Sequence, residues 1–329
     1  MAERKKSRKK WLLTIAKVLI VVLVVWAIRR TIVDAVDQLD EHTLRLNPWW
    51  LIAAGGLYLL GLLPAGLFWH RVLLALGQDA KLGETLRAYF IGHLGKYVPG
   101  KAMVVVLRTG LIRSHRVDTG LAAVSVFFET LTMMTVGAFI SAAILAFYFR
   151  EHWYLTLVAL GLMAGAGMPT LPPVFRRLVK FAGIGKSNPE TAEKLQNLGG
   201  KTLALGWLAM SIGWVILGLS LWAVLRGMGV EQLIWDGKPV PLDPISQLPL
   251  YVAAVSLAMV AGFLSLIPGG AAVREAVLAE LLVPHFGEVT ALVSAVLLRL
   301  VWLGSELLLS GILWVSLWKR SGSTESGRD

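Results

Sequence analysis

The chain has 329 residues, of which 56% are apolar, with a mean hydropathy of +0.67 and a formal net charge of +11. Several apolar runs reach the roughly 20 residues that a helix needs to cross a hydrocarbon core, which excludes a soluble domain and predicts a polytopic membrane protein. The absence of cysteine excludes disulfides, cysteine metal sites and thiol catalysis. The basic residues cluster beside the apolar runs, a distribution typical of membrane orientation and anionic-lipid contact, so nucleic acid is not an expected partner.

The chain begins with a basic segment and two predicted spans. Residues 1–10 contain ERKKSRKK and are expected to lie in the cytoplasm. The first span, 11–28, has no small-residue cleavage site and is interpreted as a retained anchor. Residues 31–46 predict an amphipathic helix on the outer surface, and a second span is predicted over 48–74, with Pro64 as a kink.

The next segment, 86–108, contains two apolar pieces on either side of GKYVPGK, and each piece is too short to span. We predict a re-entrant helical hairpin that enters from the cytoplasmic side. A third span follows at 120–149 and a fourth at 153–168. The basic sequence after them, PPVFRRLVKF, predicts a helix that lies on anionic inner-leaflet lipid.

The second half follows the same order. A fifth span is predicted over 202–225, followed by an outer loop rich in turn residues. The segment 250–283 is interrupted at LIPGG and is predicted to be a second re-entrant hairpin, entering from the outside. A last span, 289–318, leads to a polar cytoplasmic tail, 319–329. This arrangement places most Lys and Arg of the loops on the cytoplasmic side, as the positive-inside rule requires.

The predicted fold is therefore an all-α polytopic membrane protein, with about six transmembrane helices and two oppositely oriented re-entrant helical hairpins in an inverted repeat. Matching interruptions in two inverted halves are the sequence pointer to the midplane site of a transporter. Irregular backbone at membrane depth is tolerated only where it is buried in protein or lines a polar cavity. A helix that begins after Pro268-Gly269-Gly270 would direct its N–H groups and positive dipole end into that cavity, which favours an anion such as a lipid phosphate.

Charged residues inside the predicted spans indicate the same region. Glu129 lies within the third span, and Arg299 and Glu306 lie seven residues apart on one face of the last span. Each isolated charge would cost roughly 2.5–3.5 kcal/mol at the bilayer centre, so we expect mutual pairing around a wet cavity. The expected pairing is of Glu129 or Glu275 with Arg274 or Arg299, and the sequence does not decide which pairs form. A purely structural network of Arg299 and Glu306 is an equal alternative.

The stretches GHLGKYVPGKAMVVVLR, FFET and GFLSLIPGGAAVREAVLAELL resemble the lysylphosphatidylglycerol synthase transmembrane-region family, whose members are also described as flippase-like. The most specific element is PGG followed by the Arg-Glu pair, and the resemblance covers most of the chain after the first span. It implies an inner-membrane protein that moves or presents lipids, with substrates from aminoacylated phospholipids to polyprenyl carriers and hopanoids. Bifunctional members also carry a soluble aminoacyltransferase domain, which is not expected here.

The resemblance implies a set of lipid-binding positions in the two interrupted segments and the third span: Gly95, Lys96, Pro99, Gly100, Lys101, Arg108, Glu129, Pro268, Gly269, Gly270, Arg274 and Glu275. The intramembrane charges add Arg299 and Glu306 as candidate site residues. Lys101 and Arg108 have an alternative role, because long basic side chains near a helix end can snorkel to the membrane surface.

The leading hypothesis is a flippase-like lipid transporter of the plasma membrane that binds an anionic or phosphate-bearing head group at a central site formed by the two broken hairpins. No catalytic motif, metal-ligand spacing or nucleotide-binding motif occurs, so we expect no enzyme activity, no metal and no cofactor. The alternatives are a structural or assembly factor and, with less support, an intramembrane lipid-modifying enzyme. Membrane lipid is the expected partner, and a second copy of the chain or an envelope enzyme is a further candidate.

Overall fold

The computed structural model describes residues 46–98, 102–114, 116–148, 161, 165, 167–181, 193–265 and 267–325. The predicted basic segment 1–10, the first span 11–28 and the amphipathic helix that follows it lie outside these residues. Most of the predicted fourth span, 153–168, and the end of the polar tail lie outside them as well.

The described residues form mostly helices, which confirms the all-α membrane class. Four helices are long and apolar enough to cross a membrane and match the predicted second, third, fifth and last spans; they are α1, α4, α6 and α9 below. In chain order the helices are α1 (Pro48–Ala75), α2 (Leu82–His93), α3 (Ala102–Ile112), α4 (Thr119–Tyr148), α5 (Pro172–Phe181), α6 (Gly200–Gly227), α7 (Leu248–Leu264), α8 (Val273–Phe286) and α9 (Glu288–Glu325). Short 3-10 turns occupy Leu94–Tyr97, Met168–Thr170, Leu195–Asn197 and Pro268–Gly270.

Local chemistry sets the start of the first described span. The Oδ1 atom of Asn47 accepts a hydrogen bond from the backbone N–H of Trp49 at 3.0 Å, and Pro48 occupies the first turn, where no N–H is needed. Apolar residues surround α1 on all sides instead of forming one stripe, as expected for a helix that contacts both protein and lipid.

The centre of the protein is the crossing of α1 and α6, the most extensive helix contact in the described structure. A Cβ atom on Gly213 would lie 2.7 Å from the carbonyl oxygen of Gly61, so small residues allow the two backbones to approach closely. Trp302 of α9 donates its indole N–H to Ser220 at 3.0 Å, and Ser220 donates to the Ala54 carbonyl at 2.8 Å. These bonds connect α9, α6 and α1.

The two interrupted segments occupy equivalent places in the element order. The same order of elements occurs twice: a span, then a pair of short helices, then a second span. It is formed first by α1, α2–α3 and α4, and then by α6, α7–α8 and α9. Helix α4 contacts α3 and α7, while α9 contacts α2 and α8. Both pairs of short helices therefore meet between α4 and α9. Their re-entrant nature and the inversion of the two halves across the membrane stay predictions.

The loop between α6 and α7 contains a secondary structure that the sequence analysis did not predict. Strands β1 (Gln232–Trp235) and β2 (Lys238–Pro241) pair antiparallel. Asp236 and Gly237 join them with φ values of 49° and 72°, as a type I′ turn requires. An Asp-Gly pair between two strand-forming stretches is a strong hairpin signal, and the analysis of turn residues alone overlooked it. His285 of α8 stacks on a tryptophan of β1, so this ribbon lies against the end of α8.

The basic sequence before residue 182 forms α5, as predicted. Phe175 and Val179 are buried, whereas Phe181 is 92% exposed. An exposed aromatic side chain beside basic residues is typical of a helix at a membrane surface. Contact with anionic lipid stays a prediction.

Candidate functional site

The first broken segment depends on a close backbone approach. Helix α2 ends at His93, and a 3-10 turn continues to Tyr97 before α3 begins at Ala102. A Cβ atom on Gly95 would lie 2.7 Å from the backbone nitrogen of Val104, so only glycine allows this contact between the turn and α3. Three predicted site residues of this segment lie outside the described part of the chain: Pro99, Gly100 and Lys101.

The second broken segment interrupts the helix at the predicted place. After the 3-10 turn of Pro268–Gly270, α8 begins at Val273 without a capping side chain. Gly269 and Gly270 have φ values of 61° and 65°, and Ala272 has a φ of 64°, which is rare for a residue with a Cβ atom. Strained backbone of this kind persists where the surrounding structure enforces it, often at functional sites.

The two breaks contact each other. A Cβ atom on Gly269 would lie 2.9 Å from the Tyr97 ring and 3.4 Å from the Nη2 atom of Arg299. The tip of the first segment, the tip of the second and the last span therefore meet at one point, as the sequence analysis predicted for a central site.

A buried ion pair joins α3 to α4 on one side of this point. Arg108 donates to Glu129 at 2.7 Å, and their side chains are 2% and 1% exposed. The guanidinium group of Arg108 also lies 4.0 Å from the ring centre of Tyr89. The burial of Arg108 rules out the snorkelling role. Of the alternatives that the sequence left open, a pair of Glu129 with Arg274 or Arg299 does not form in the described structure, because Glu129 pairs with Arg108.

A second cluster surrounds Glu306 of α9. Lys96 donates to the Oε1 atom of Glu306 at 2.5 Å, and the hydroxyl group of Tyr58 donates to the same atom. The His93 ring connects the two clusters, because its Nε2 atom lies 3.7 Å from Glu306 and its Nδ1 atom lies 3.4 Å from Arg108. The first broken segment is thus bound to α4 and α9 through its basic side chains.

The third ion pair joins α8 to α9. Arg299 donates to Glu275, one of the pairings that the sequence analysis allowed. The Oε2 atom of Glu275 and the Nε and Nη2 atoms of Arg299 are buried without a partner in the described residues. A void of about 10 Å³ lies beside this pair, at the lower limit for one water molecule. Arg299 and Glu306 do not pair with each other.

Arg274 differs from these cations, because it forms no ion pair within the described structure. Its guanidinium group lies 5.4 Å from the ring centre of Trp302. Its aliphatic stem occupies a slot beside two glycines: a Cβ atom on Gly262 would overlap the Cγ atom of Arg274, and one on Gly270 would lie 2.8 Å from its Cδ atom.

A cavity of about 250 Å³ lies between the two broken segments. Its wall combines charged side chains with a larger apolar surface from α3, α4 and α7. Phe127 and Ile267 line the cavity and are also 50% and 42% exposed, so they lie at its mouth. The charged residues of the wall are Lys96, Arg108, Glu129 and Arg274.

The described members of the predicted site gather at this cavity or directly behind its wall. The cavity is lined by Pro268, Gly269 and Gly270. Gly95 allows the first break to contact α3. The ion pairs behind the cavity wall include Glu275, Arg299 and Glu306. Sequence analysis missed four residues that shape the site: Tyr58, His93, Gly262 and Trp302. A tyrosine within a span needs a hydrogen-bond partner at membrane depth, which is the signal that could have identified Tyr58.

No group of three or more His, Asp or Glu that could hold a metal ion occurs in the part of the chain that the structure describes. The described residues of the site supply hydrogen-bond donors, charged side chains and apolar surface.

Most of the chain, including the site, matches the sequence signature of a known protein family. The sequence signature of the family described as Lysylphosphatidylglycerol synthase TM region matches residues 14–309, a range that contains both broken segments and every described ion pair of the site. The chain belongs to this family. It is a membrane protein with the family's flippase-like domain, and the resemblance noted from the sequence is confirmed. No curated protein matches the chain.

Proposed function

We propose that the protein is a lipid translocase of the plasma membrane that binds an anionic or phosphate-bearing head group in the cavity between the two broken segments. One observation carries this proposal: the cavity combines basic side chains from both segments with an apolar mouth. A lipid has the same two parts, a polar head and an apolar tail.

The basic wall suits a phosphate group. Lys96 comes from the first broken segment and Arg274 from the second, and both line the cavity. Hydrogen bonds between a charged donor and a phosphate oxygen are shorter and stronger than neutral ones, and a site shielded from water strengthens them further. A head group bound to both residues would connect the two halves of the protein and respond to their relative movement.

The mouth suits an acyl chain. Phe127 belongs to α4, which is long and apolar enough to cross a membrane, so its exposed ring would face hydrocarbon. A lipid could then enter sideways, with its head group in the cavity and its tail in the bilayer. Re-entrant hairpins from opposite faces, with both termini in the cytoplasm, would allow the halves to open the cavity to each leaflet in turn.

A lipid-movement assay tests the proposal. The purified full-length protein is reconstituted into vesicles that contain a trace of fluorescent phospholipid, and a membrane-impermeant reductant bleaches the outer leaflet. In protein-free vesicles roughly half of the fluorescence should be bleached. With the protein present we expect a larger fraction to be bleached, because inner-leaflet lipid reaches the outer leaflet. Head-group analysis of the lipid after incubation tests the enzymatic alternative, which would release or change the head group.

A structural or assembly role is the second candidate, and the buried ion pairs favour it because they bind the broken segments to α4 and α9. In that case Arg274→Gln would change thermal stability without changing lipid movement. If neither lipid movement nor lipid binding is detected for the folded protein, the translocase proposal is wrong and the structural role takes its place.

A further inference from the structure

We infer that the cavity selects anionic phosphodiester lipids, whose head group carries one negative charge and no ammonium group, and that Arg274 is the cation that binds the phosphate. This inference rests on the proposed lipid-binding function and specifies its substrate class.

The charges around the cavity leave a surplus of one positive charge. Counted over the described residues, which exclude Lys101, three cations each have an acidic partner, in the pairs Lys96–Glu306, Arg108–Glu129 and Arg299–Glu275. The fourth cation, Arg274, has none. Arg274 is partly buried, and a charge that is partly removed from water is stabilised by an opposite charge nearby, which one monoanion supplies.

The surroundings of Arg274 hold its side chain in place. The slot beside Gly262 and Gly270 admits the aliphatic stem only because neither residue has a Cβ atom. The face of Trp302 contacts the guanidinium group on another side. A restrained guanidinium group can donate two parallel hydrogen bonds to a phosphate with little loss of side-chain entropy.

Among the described residues, an ammonium group would find no carboxylate on the cavity wall that is free of a partner. Glu129 is the described acid on its wall, and both of its oxygens are engaged: Oε2 by Arg108 and the hydroxyl group of Thr130, and Oε1 by Tyr89. The second oxygens of Glu275 and Glu306 have no partner, but neither residue lines this cavity. A zwitterionic or aminoacylated head group would therefore place a cation beside three others, which is unfavourable.

Competition binding tests the inference with the full-length protein in detergent micelles. Fluorescent phosphatidylglycerol is displaced by unlabelled phosphatidylglycerol, phosphatidylethanolamine or lysyl-phosphatidylglycerol, which share a phosphodiester and differ in ammonium groups. We expect phosphatidylglycerol to bind at least about 10-fold more tightly than either of the other two, since an uncompensated charge costs more than one lost hydrogen bond.

Substitutions then identify the residue responsible. Arg274→Gln is expected to weaken phosphatidylglycerol binding by about 10- to 100-fold, the range for a lost hydrogen bond to a charged group. Arg274→Lys should restore part of the loss, because it keeps the charge without the bidentate geometry. Lys201→Gln is the matched control: it removes the same charge from an exposed position at the start of α6 and should leave binding unchanged.

The outcomes separate this inference from the proposed function. If all three lipids bind equally, or if a folded Arg274→Gln protein keeps the preference, the inferred selection of an anionic head group by Arg274 is wrong while lipid binding stands. If no lipid displaces the probe, the proposed function itself fails. The wild-type comparison needs no substitution, so selectivity is tested even if Arg274→Gln unfolds the protein.

Discussion

Arg108 and Glu129 lie almost completely buried and 2.7 Å apart, so each depends on the charge of the other. Glu129→Gln would leave the Arg108 guanidinium group without a counter-charge at membrane depth. We expect a loss of about 3–5 kcal/mol in the free energy of unfolding, the range for breaking a buried ion pair. Thermal unfolding of the detergent-solubilised protein measures this as a lower Tm.

The double variant Arg108→Met with Glu129→Leu is the control for that prediction. Replacing both partners with apolar residues removes the unpaired charge, so its Tm should lie closer to that of the wild type. A double variant less stable than Glu129→Gln would contradict the ion-pair explanation.

Gly95 is needed for close contact between backbones at the first break. Gly95→Ala would place its Cβ atom 2.7 Å from the Val104 nitrogen, and backbone cannot move aside as a flexible side chain can. We expect the free energy of unfolding to fall by about 1–3 kcal/mol, as for overpacking elsewhere in protein interiors. Gly83→Ala in α2 meets nothing within 4 Å and should keep or slightly raise the Tm. Equal effects of the two substitutions would show that the close contact is unimportant.

At the scale of helices, Ser220 connects three spans. It accepts a hydrogen bond from the Trp302 indole and donates one to the Ala54 carbonyl. Ser220→Ala would remove the hydroxyl group that bonds the buried Trp302 N–H and the Ala54 carbonyl. We expect a loss of about 1–3 kcal/mol in the free energy of unfolding. Thermal unfolding provides the measurement.

Ser294→Ala is the matched control for Ser220→Ala. Ser294 is also buried, but within the described part of the chain its hydroxyl group bonds only to the Ala291 carbonyl of its own helix turn. Its loss should therefore have a smaller effect on Tm. The role of Ser220 as a connection between spans is refuted if both variants lose the same stability.

For the whole molecule, the central prediction is that the two breaks are reached by water from opposite faces of the membrane. Because the chain contains no cysteine, single cysteines at Val98 and Ala271 can be labelled in intact cells with a membrane-impermeant thiol reagent. We expect Ala271→Cys to react from outside, and Val98→Cys only after the inner face is opened, as two oppositely oriented hairpins require.

Exposed positions on either side calibrate this labelling experiment. Lys238→Cys in the β ribbon should react as an outer site, and Arg113→Cys between α3 and α4 should react as an inner site. Reaction of Val98→Cys and Ala271→Cys from the same face would contradict the inverted arrangement. If neither reacts while both controls do, the breaks are not open to water and the structural role gains support.

The long helices could be predicted closely because the information for them is local. The predicted span 120–149 is α4 (Thr119–Tyr148), and 202–225 is α6 (Gly200–Gly227), because hydrophobicity over some 20 residues decides whether a helix crosses a membrane. Pro268-Gly269-Gly270 marked the helix break through its missing N–H and its permissive backbone, which are also local properties. The β ribbon was missed although its Asp-Gly signal is local as well, because the prediction considered turn residues without the flanking strands.

The sequence by itself determined that this is a helical membrane protein of a recognisable family, where four of its long spans lie and which two segments are interrupted. Only the tertiary structure decided which charges pair, because Lys96 and Glu306 are 210 residues apart and their contact depends on how α9 packs against the first broken segment. The same holds for the pairing state of Arg274: the sequence marks this residue as a candidate site position but does not show whether an acid reaches it. That Arg274 has no acidic partner among the described residues follows from the positions of the acids around it, a property of the assembled fold and of no single segment.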